Sequence, residues 1–279
     1  MAWIWAAYMP HPPIIVPGVG GGREREAVAT LKGVADVLDR IRDRVPDRIL
    51  LLSPHQPYAF GAFAVNASRV IRGGLSAFGM TEANFELHTP LSSIDELTDY
   101  LGAKDIPTGI TDSGDASRDQ GSCVPIFFLK KCFGELPNVI LSSPIGLGRE
   151  MSVKLGEALA SFDDGKKWGL LASGDLSHRL KPGAPAGFSP SGMKFDEAVV
   201  EALEKTDPAP VMALSPKLIE EAGECGMRSA LAMLGLVSAL GGRIDVLSYE
   251  GPFGVGYCNA VWTIDLELEL DPGGENSGK

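Results

Sequence analysis

Short apolar runs recur along the chain, separated by stretches whose apolar residues repeat with helical spacing. Residues 3–8 read as a buried strand, and the glycine-rich turn at 18–22 leads into a helical stretch over 23–44. In that stretch Val28, Leu31, Val34, Ala35, Leu38 and Ile41 fall on one face. Residues 48–52 predict the next buried strand, stopped by Pro54, and the β-branched stretch 62–74 predicts a hairpin. A short helix over 94–101 and a longer apolar one over 123–133 follow. The alternation then repeats: strand 139–141, helix 151–162, strand 168–172, helix 195–205 and a largely buried helix 227–240. Strands at 244–249 and 257–264 close the series, the last read as antiparallel.

Strands alternating with helices predict an α/β fold. We expect a single domain over residues 1–270, with a central, mostly parallel mixed sheet covered by helices on both faces. No Pro/Ser/Gly linker divides it, and the polar, glycine-rich residues 271–279 read as a fraying tail. The run GVGGGRE at 18–24 follows a strand, as a phosphate loop would, but it lacks the GxGxxG spacing and a P-loop Lys-Ser/Thr pair. It reads as a plain turn before a helix.

Composition narrows the partners. Hydrophobic residues make up 44% of the chain, enough to bury a sizeable core, and the formal net charge is −11. No basic cluster exceeds Lys130-Lys131 or Lys166-Lys167, which argues against nucleic acid. No apolar run approaches the roughly 20 residues that span a bilayer, and the N-terminus lacks a basic secretory n-region. Cys123, Cys132, Cys225 and Cys258 are scattered without a Cys-x-x-Cys pair, so the expected compartment is a reducing cytoplasm.

Three of the four histidines sit just past apolar runs: His11 after WIWAAYMP, His55 after RILLLSP and His178 after WGLLASGDLS. Ligand sites of open α/β sheets gather beyond the carboxyl ends of strands, so these side chains are expected to converge. Prolines stiffen the backbone around His11 and His55, which suits metal ligands of fixed direction. Asp175 is placed to orient His178. His88, in FELHTP, lacks this setting and reads as structural. Two histidines and a carboxylate make the facial triad of non-haem iron(II), and Glu224 in EEAGECGMRS is the candidate carboxylate. Cys225 beside it is an alternative soft ligand, and a helix-capping role for Glu224 fits the same position. Phe60, Phe63 and Phe188 are candidates to line a substrate pocket.

PHPP at His11, SPH at His55, DQG at Asp119–Gly121, SGDLSH at Ser173–His178 and ECGM at Glu224–Met227 occur in one order. That order resembles the class III extradiol ring-cleavage dioxygenase superfamily, whose fold is that of the catalytic subunit of protocatechuate 4,5-dioxygenase. Its Memo-like and AmmeMemoRadiSam-associated branch is the nearest in kind. The resemblance implies Fe(II) held by His11, His55 and Glu224, with Cys225 as the alternative third ligand and zinc or copper as alternative metals. It implies His178 as acid/base with Asp175 in support, a catechol-like aromatic substrate cleaved with O2, and a homo-oligomer. Ring-cleaving members commonly carry histidine where this chain has Gln120. With Cys225, that difference motivates a second reading, a Memo-like metal-binding or redox protein without ring cleavage. Zinc-dependent hydrolysis at the same ligands is a third.

Overall fold

The computed structural model of the chain describes residues 2–264. Ten strands are present among these residues: β1 (Trp3–Met9), β2 (Arg48–Leu52), β3 (Phe63–Asn66), β4 (Val70–Leu75), β5 (Met80–His88), β6 (Thr108–Thr111), β7 (Asn138–Ser143), β8 (Trp168–Ser173), β9 (Asp245–Glu250) and β10 (Tyr257–Thr263). The helices are α1 (Val28–Ile41), α2 (Leu91–Gly102), α3 (Gln120–Phe133), α4 (Arg149–Ala160), α5 (Pro190–Lys205), α6 (Ala209–Met212), α7 (Pro216–Ala222) and α8 (Met227–Ala239). Eight strands form one sheet in the order β6-β3-β7-β2-β8-β1-β10-β9. At its centre β7, β2, β8 and β1 run parallel. Flanking them, β10 pairs antiparallel with β1, and β3 antiparallel with β7. The structure is thus the expected α/β domain with a mostly parallel mixed sheet. The expected tail at 271–279 and the end of the domain at 270 lie outside the described residues.

The central strands are apolar on both faces because both faces are covered. From β2, Leu50 and Leu52 pack with Ile94 and Leu97 of α2, Leu155 of α4, Phe195 of α5 and the largely buried α8. Ile49 and Leu51 face the other way, against Val34 and Val37 of α1 and Val124 and Leu129 of α3. Each fully buried leucine contributes about 1.5–3 kcal/mol through the area it removes from water.

Three expectations change. The stretch 62–74 is not a hairpin. β3 enters the main sheet between β6 and β7, while β4 pairs with β5 in a separate two-stranded ribbon. FAVN of β3 is buried on both faces, whereas β4 and β5 carry exposed positions and suit a surface ribbon. The helix expected over 23–44 is only Val28–Ile41, because residues Arg23–Glu26 form a separate 3-10 turn and Ala27 (φ −107, ψ 53) breaks the path. The glycine-rich run therefore opens no α-helix directly. Phe63 is fully buried in β3 and offers no exposed surface to a substrate.

Candidate metal centre

The parallel strands end level with one another: Met9 pairs with Ser173, and Leu52 with Ala172. The segments leaving β1, β2 and β8 therefore emerge side by side at the carboxyl edge, as open α/β sheets place their ligand sites. His11 follows β1 and is almost wholly buried at 1% exposure. Its backbone N–H donates to Asp175 Oδ1 at 2.9 Å, and its Nδ1 meets Ser173 Oγ at 2.9 Å. These bonds leave Nε2 free to point at His55, whose own Nε2 lies 3.1 Å away.

The loop that carries His55 is held by the DQG segment. Asp119 is buried and is the N-cap of α3; it accepts from Ser122 N at 3.0 Å, Ser53 Oγ at 2.7 Å and Gln56 Nε2 at 2.6 Å. Ser53 Oγ in turn accepts the His55 N–H at 3.1 Å. A Cβ on Gly121 would stand 2.4 Å from Ser53 Oγ, so the glycine of the motif makes room for this network. Asp119, Ser53 and Ser173 brace the two histidine segments and were not among the residues the sequence singled out, although DQG itself was the signal for Asp119.

The third element is the turn between α7 and α8. Cys225 Sγ lies 3.6 Å from His11 Nε2, and one donor atom from each of His11, His55 and Cys225 falls within 4.8 Å of the other two. Among the described residues this is the one group of three or more His, Cys, Asp or Glu side chains so placed. Glu224 is turned elsewhere: its Oε2 accepts the Met227 N–H at 2.7 Å at the start of α8, and Arg228 Nη1 stands 3.8 Å from Oε1. The expected alternatives at the third position are thus separated in space, with the carboxylate capping a helix and the sulfur facing the histidines.

His178 closes the site. Its Nδ1 donates to Gly223 O at 2.6 Å, so in the neutral ring the bare nitrogen is Nε2. That Nε2 lies 4.0 Å from Asp175 Oδ2, and His11 Nε2 lies 4.0 Å from the same oxygen. Gly223 is at the left-handed C-cap of α7 (φ 61), just before Glu224 and Cys225, so one turn presents Cys225 and also fixes the His178 ring. His88 stays apart on the surface ribbon beside Glu86.

Burial sets the charge state. It lowers His11 to about 3, with His55 the next cause, and it lowers His55 as well. Both imidazoles are therefore neutral near pH 7, as ligands must be. Burial raises Asp175 to about 6 and pushes the Cys225 thiol well up. It likewise pushes the Tyr8 hydroxyl well above its ordinary value, and Cys225 is the neighbouring group that adds most to this. Two neutral imidazoles and a sulfur aimed at one point are a donor set that fits a soft or borderline metal such as copper, zinc or iron. Beside His55 a cleft of about 530 Å³ is lined by Pro57, Tyr58, Ser113, Asp115 and Arg118 among others. Phe60 and Phe188 are exposed and are not among its walls.

All four cysteines are free thiols. No described helix is long and apolar enough to cross a membrane. In fold the chain is similar to the crystal structure of uncharacterized protein JW3007 from Escherichia coli K12, with a TM-score of 0.60, 15% identity, and coverage of 92% of this chain and 99% of that one. In sequence it is 29% identical over 260 residues to Protein CA_C1420 of Clostridium acetobutylicum, covering 89% of this chain. The chain spans 55% of that relative's length. The family model for the catalytic LigB subunit of aromatic ring-opening dioxygenase matches residues 5–259, from β1 to within β10, and the chain belongs to that family.

Proposed function

We propose that this protein is a metal-dependent oxidoreductase that brings O2 to a small catechol-like aromatic substrate, with the metal held by His11, His55 and Cys225. The observation that carries the reading is the convergence of these three donors at the carboxyl edge of the sheet, beside a separate Asp175–His178 pair. When bound, the metal would supply charge to acidify a substrate hydroxyl and a place for both reactants to meet. Iron is the metal that the family's ring-opening chemistry favours; copper and zinc suit the same donors.

The chain's own residues supply binding and proton handling. His178 keeps its proton on Nδ1, so Nε2 accepts a proton from a substrate hydroxyl and returns it later. Asp175 stands next to that nitrogen and to His11, and stabilises the imidazolium that forms. The buried wall around His11 excludes water. Tyr58 and Pro57 offer an apolar side to a flat ring in the cleft, and Arg118 a charge at its rim.

A second reading has its own observation. Cys225 stands where a carboxylate would complete the iron triad, and Glu224 is committed to its cap. That favours a Memo-like metal-binding or redox protein without ring cleavage. The two are separated by elemental analysis of protein purified anaerobically, followed by iron loading and a panel of catechols under air. A yellow ring-fission product, lost in His178→Ala, supports the first reading. Stoichiometric metal lost in Cys225→Ser, with no product from any catechol, supports the second. Loss of neither metal nor activity in His11→Ala rejects both.

A further inference from the structure

We propose that the Tyr8 hydroxyl is a hydrogen-bond donor reserved for the Cys225 sulfur in its metal-bound form, which makes Tyr8 a positioning residue for the thiolate ligand. The inference rests on the His11–His55–Cys225 centre proposed above.

Tyr8 is fully buried at 0% exposure near the end of β1, and its hydroxyl has no hydrogen-bond partner among the described residues. An unsatisfied buried hydroxyl is unfavourable, and phenylalanine would fill nearly the same space without leaving a polar group unpaired. The surroundings are shaped around the hydroxyl. A Cβ on Gly226 would stand 2.0 Å from Tyr8 Oη, and one on Gly174 would stand 2.2 Å from Gly226 Cα and 2.7 Å from Tyr8 Oη. Gly226 has φ −96 and ψ −11, a conformation open to any residue, and Gly174 is not among the glycines with positive φ. Both glycines therefore answer a need for room and not for backbone freedom. Gly226 directly follows Cys225, and Gly174 directly precedes Asp175.

The sulfur has the complementary need. Cys225 Sγ donates its S–H toward Asp175 O at 3.6 Å, and its other polar contact is the His11 Nε2 at 3.6 Å, the atom that would itself turn to the metal. A sulfur bound to a metal has no proton to give, and its remaining lone pairs call for donors. The Asp175 carbonyl is then of no use to it. Tyr8 Oη, packed on the next residue of the chain, offers an O–H with no competing acceptor. The tyrosine thus exchanges an unpaired hydroxyl in one state for a charge-assisted bond in the other.

Tyr8→Phe tests this directly. Zinc and cobalt affinities are measured by competition titration, the cobalt–sulfur charge-transfer band by near-ultraviolet absorption, and the metal-free Tm by calorimetry. We expect metal-free Tyr8→Phe to fold with an equal or higher Tm, to bind either metal about 10–100-fold more weakly, and to shift the cobalt–sulfur band. In a Cys225→Ser background the same substitution is expected to change affinity by less than about twofold, since the thiolate is gone. Unchanged affinity and band in Tyr8→Phe overturn the inference while leaving the metal centre standing. A lowered Tm with an unchanged band assigns Tyr8 to packing alone and overturns it too. Failure of the unsubstituted protein to bind cobalt or zinc removes the centre itself, and the inference with it.

Discussion

His11 and His55 stand just past β1 and β2, on proline-stiffened backbone, while Cys225 stands in a turn between two helices. The histidines are held by the sheet itself: parallel register sets the strand ends level, and Asp175 and the Asp119 network then fix each loop. The cysteine has no strand behind it. Its place depends on the left-handed Gly223, on the Cys225 N–H reaching Asp175 O at 3.4 Å, and on Glu224 anchoring the start of α8. Two of the proposed ligands are thus presented by the framework and one by an assembled corner. Changes at the first pair are expected to abolish the centre, and changes at the corner to tune it or redirect it.

The largest effect is expected at the framework. His11→Ala and His55→Ala are each expected to retain no metal by elemental analysis, with circular dichroism unchanged; retention of stoichiometric metal by either variant breaks the comparison. Next comes the corner. Cys225→Ser is expected to lose most metal affinity, whereas Glu224→Ala keeps its metal and loses about 1 kcal/mol of stability with the cap. Calorimetry and metal titration of the pair read this out, and the reverse pattern would return the third position to the carboxylate.

A smaller effect is expected one layer out. Asp119→Ala leaves Ser53 Oγ and Gln56 Nε2 without their acceptor, and should weaken metal binding about 10–100-fold by loosening the His55 loop. Asp119→Asn keeps one carbonyl acceptor and is expected to recover part of that loss in the same titration.

The smallest effect is the pH dependence of the metal-free protein. Burial holds His11 near 3 against 6.5 when unfolded, so the unfolded chain takes up a proton between those values and the folded chain does not. Stability from this group is present above about 6.5 and is lost as pH falls toward 3. Asp175 acts oppositely: raised from 3.8 to about 6, it holds its proton in the folded state and costs stability as pH rises through that range. Over about pH 4 to 6 the two contributions oppose one another, so urea unfolding of the metal-free protein is compared between variants across that range. Against the unsubstituted protein, the slope of stability with pH should fall in His11→Asn and rise in Asp175→Asn.

Much of this was legible in the chain because short-range physics wrote it there. Runs such as RILLL at β2 and WGLLAS at β8 are apolar throughout because helices cover both faces, and the α/β alternation follows from that requirement alone. A histidine just past such a run is placed by the end of its strand. The ribbon of β4 and β5 was not legible, since pairing partners are chosen by burial and register across the fold. Nor did the sequence separate Glu224 from Cys225. Adjacent residues share every local pattern, and a carboxylate near a helix start suits capping and ligation alike.

The sequence by itself determined the strand–helix alternation, the apolar character of the central strands, and the positions of His11, His55 and His178 at strand ends. The tertiary structure alone decided that β8 lies between β1 and β2, which brings those three segments to one edge. It also decided which way the turn at 223–226 faces. That direction is a long-range outcome, fixed by hydrogen bonds with His178 and Asp175 and by packing against Tyr8, all distant in the chain. Distance in sequence hides such contacts, and folding reveals which of two neighbouring side chains meets the histidines.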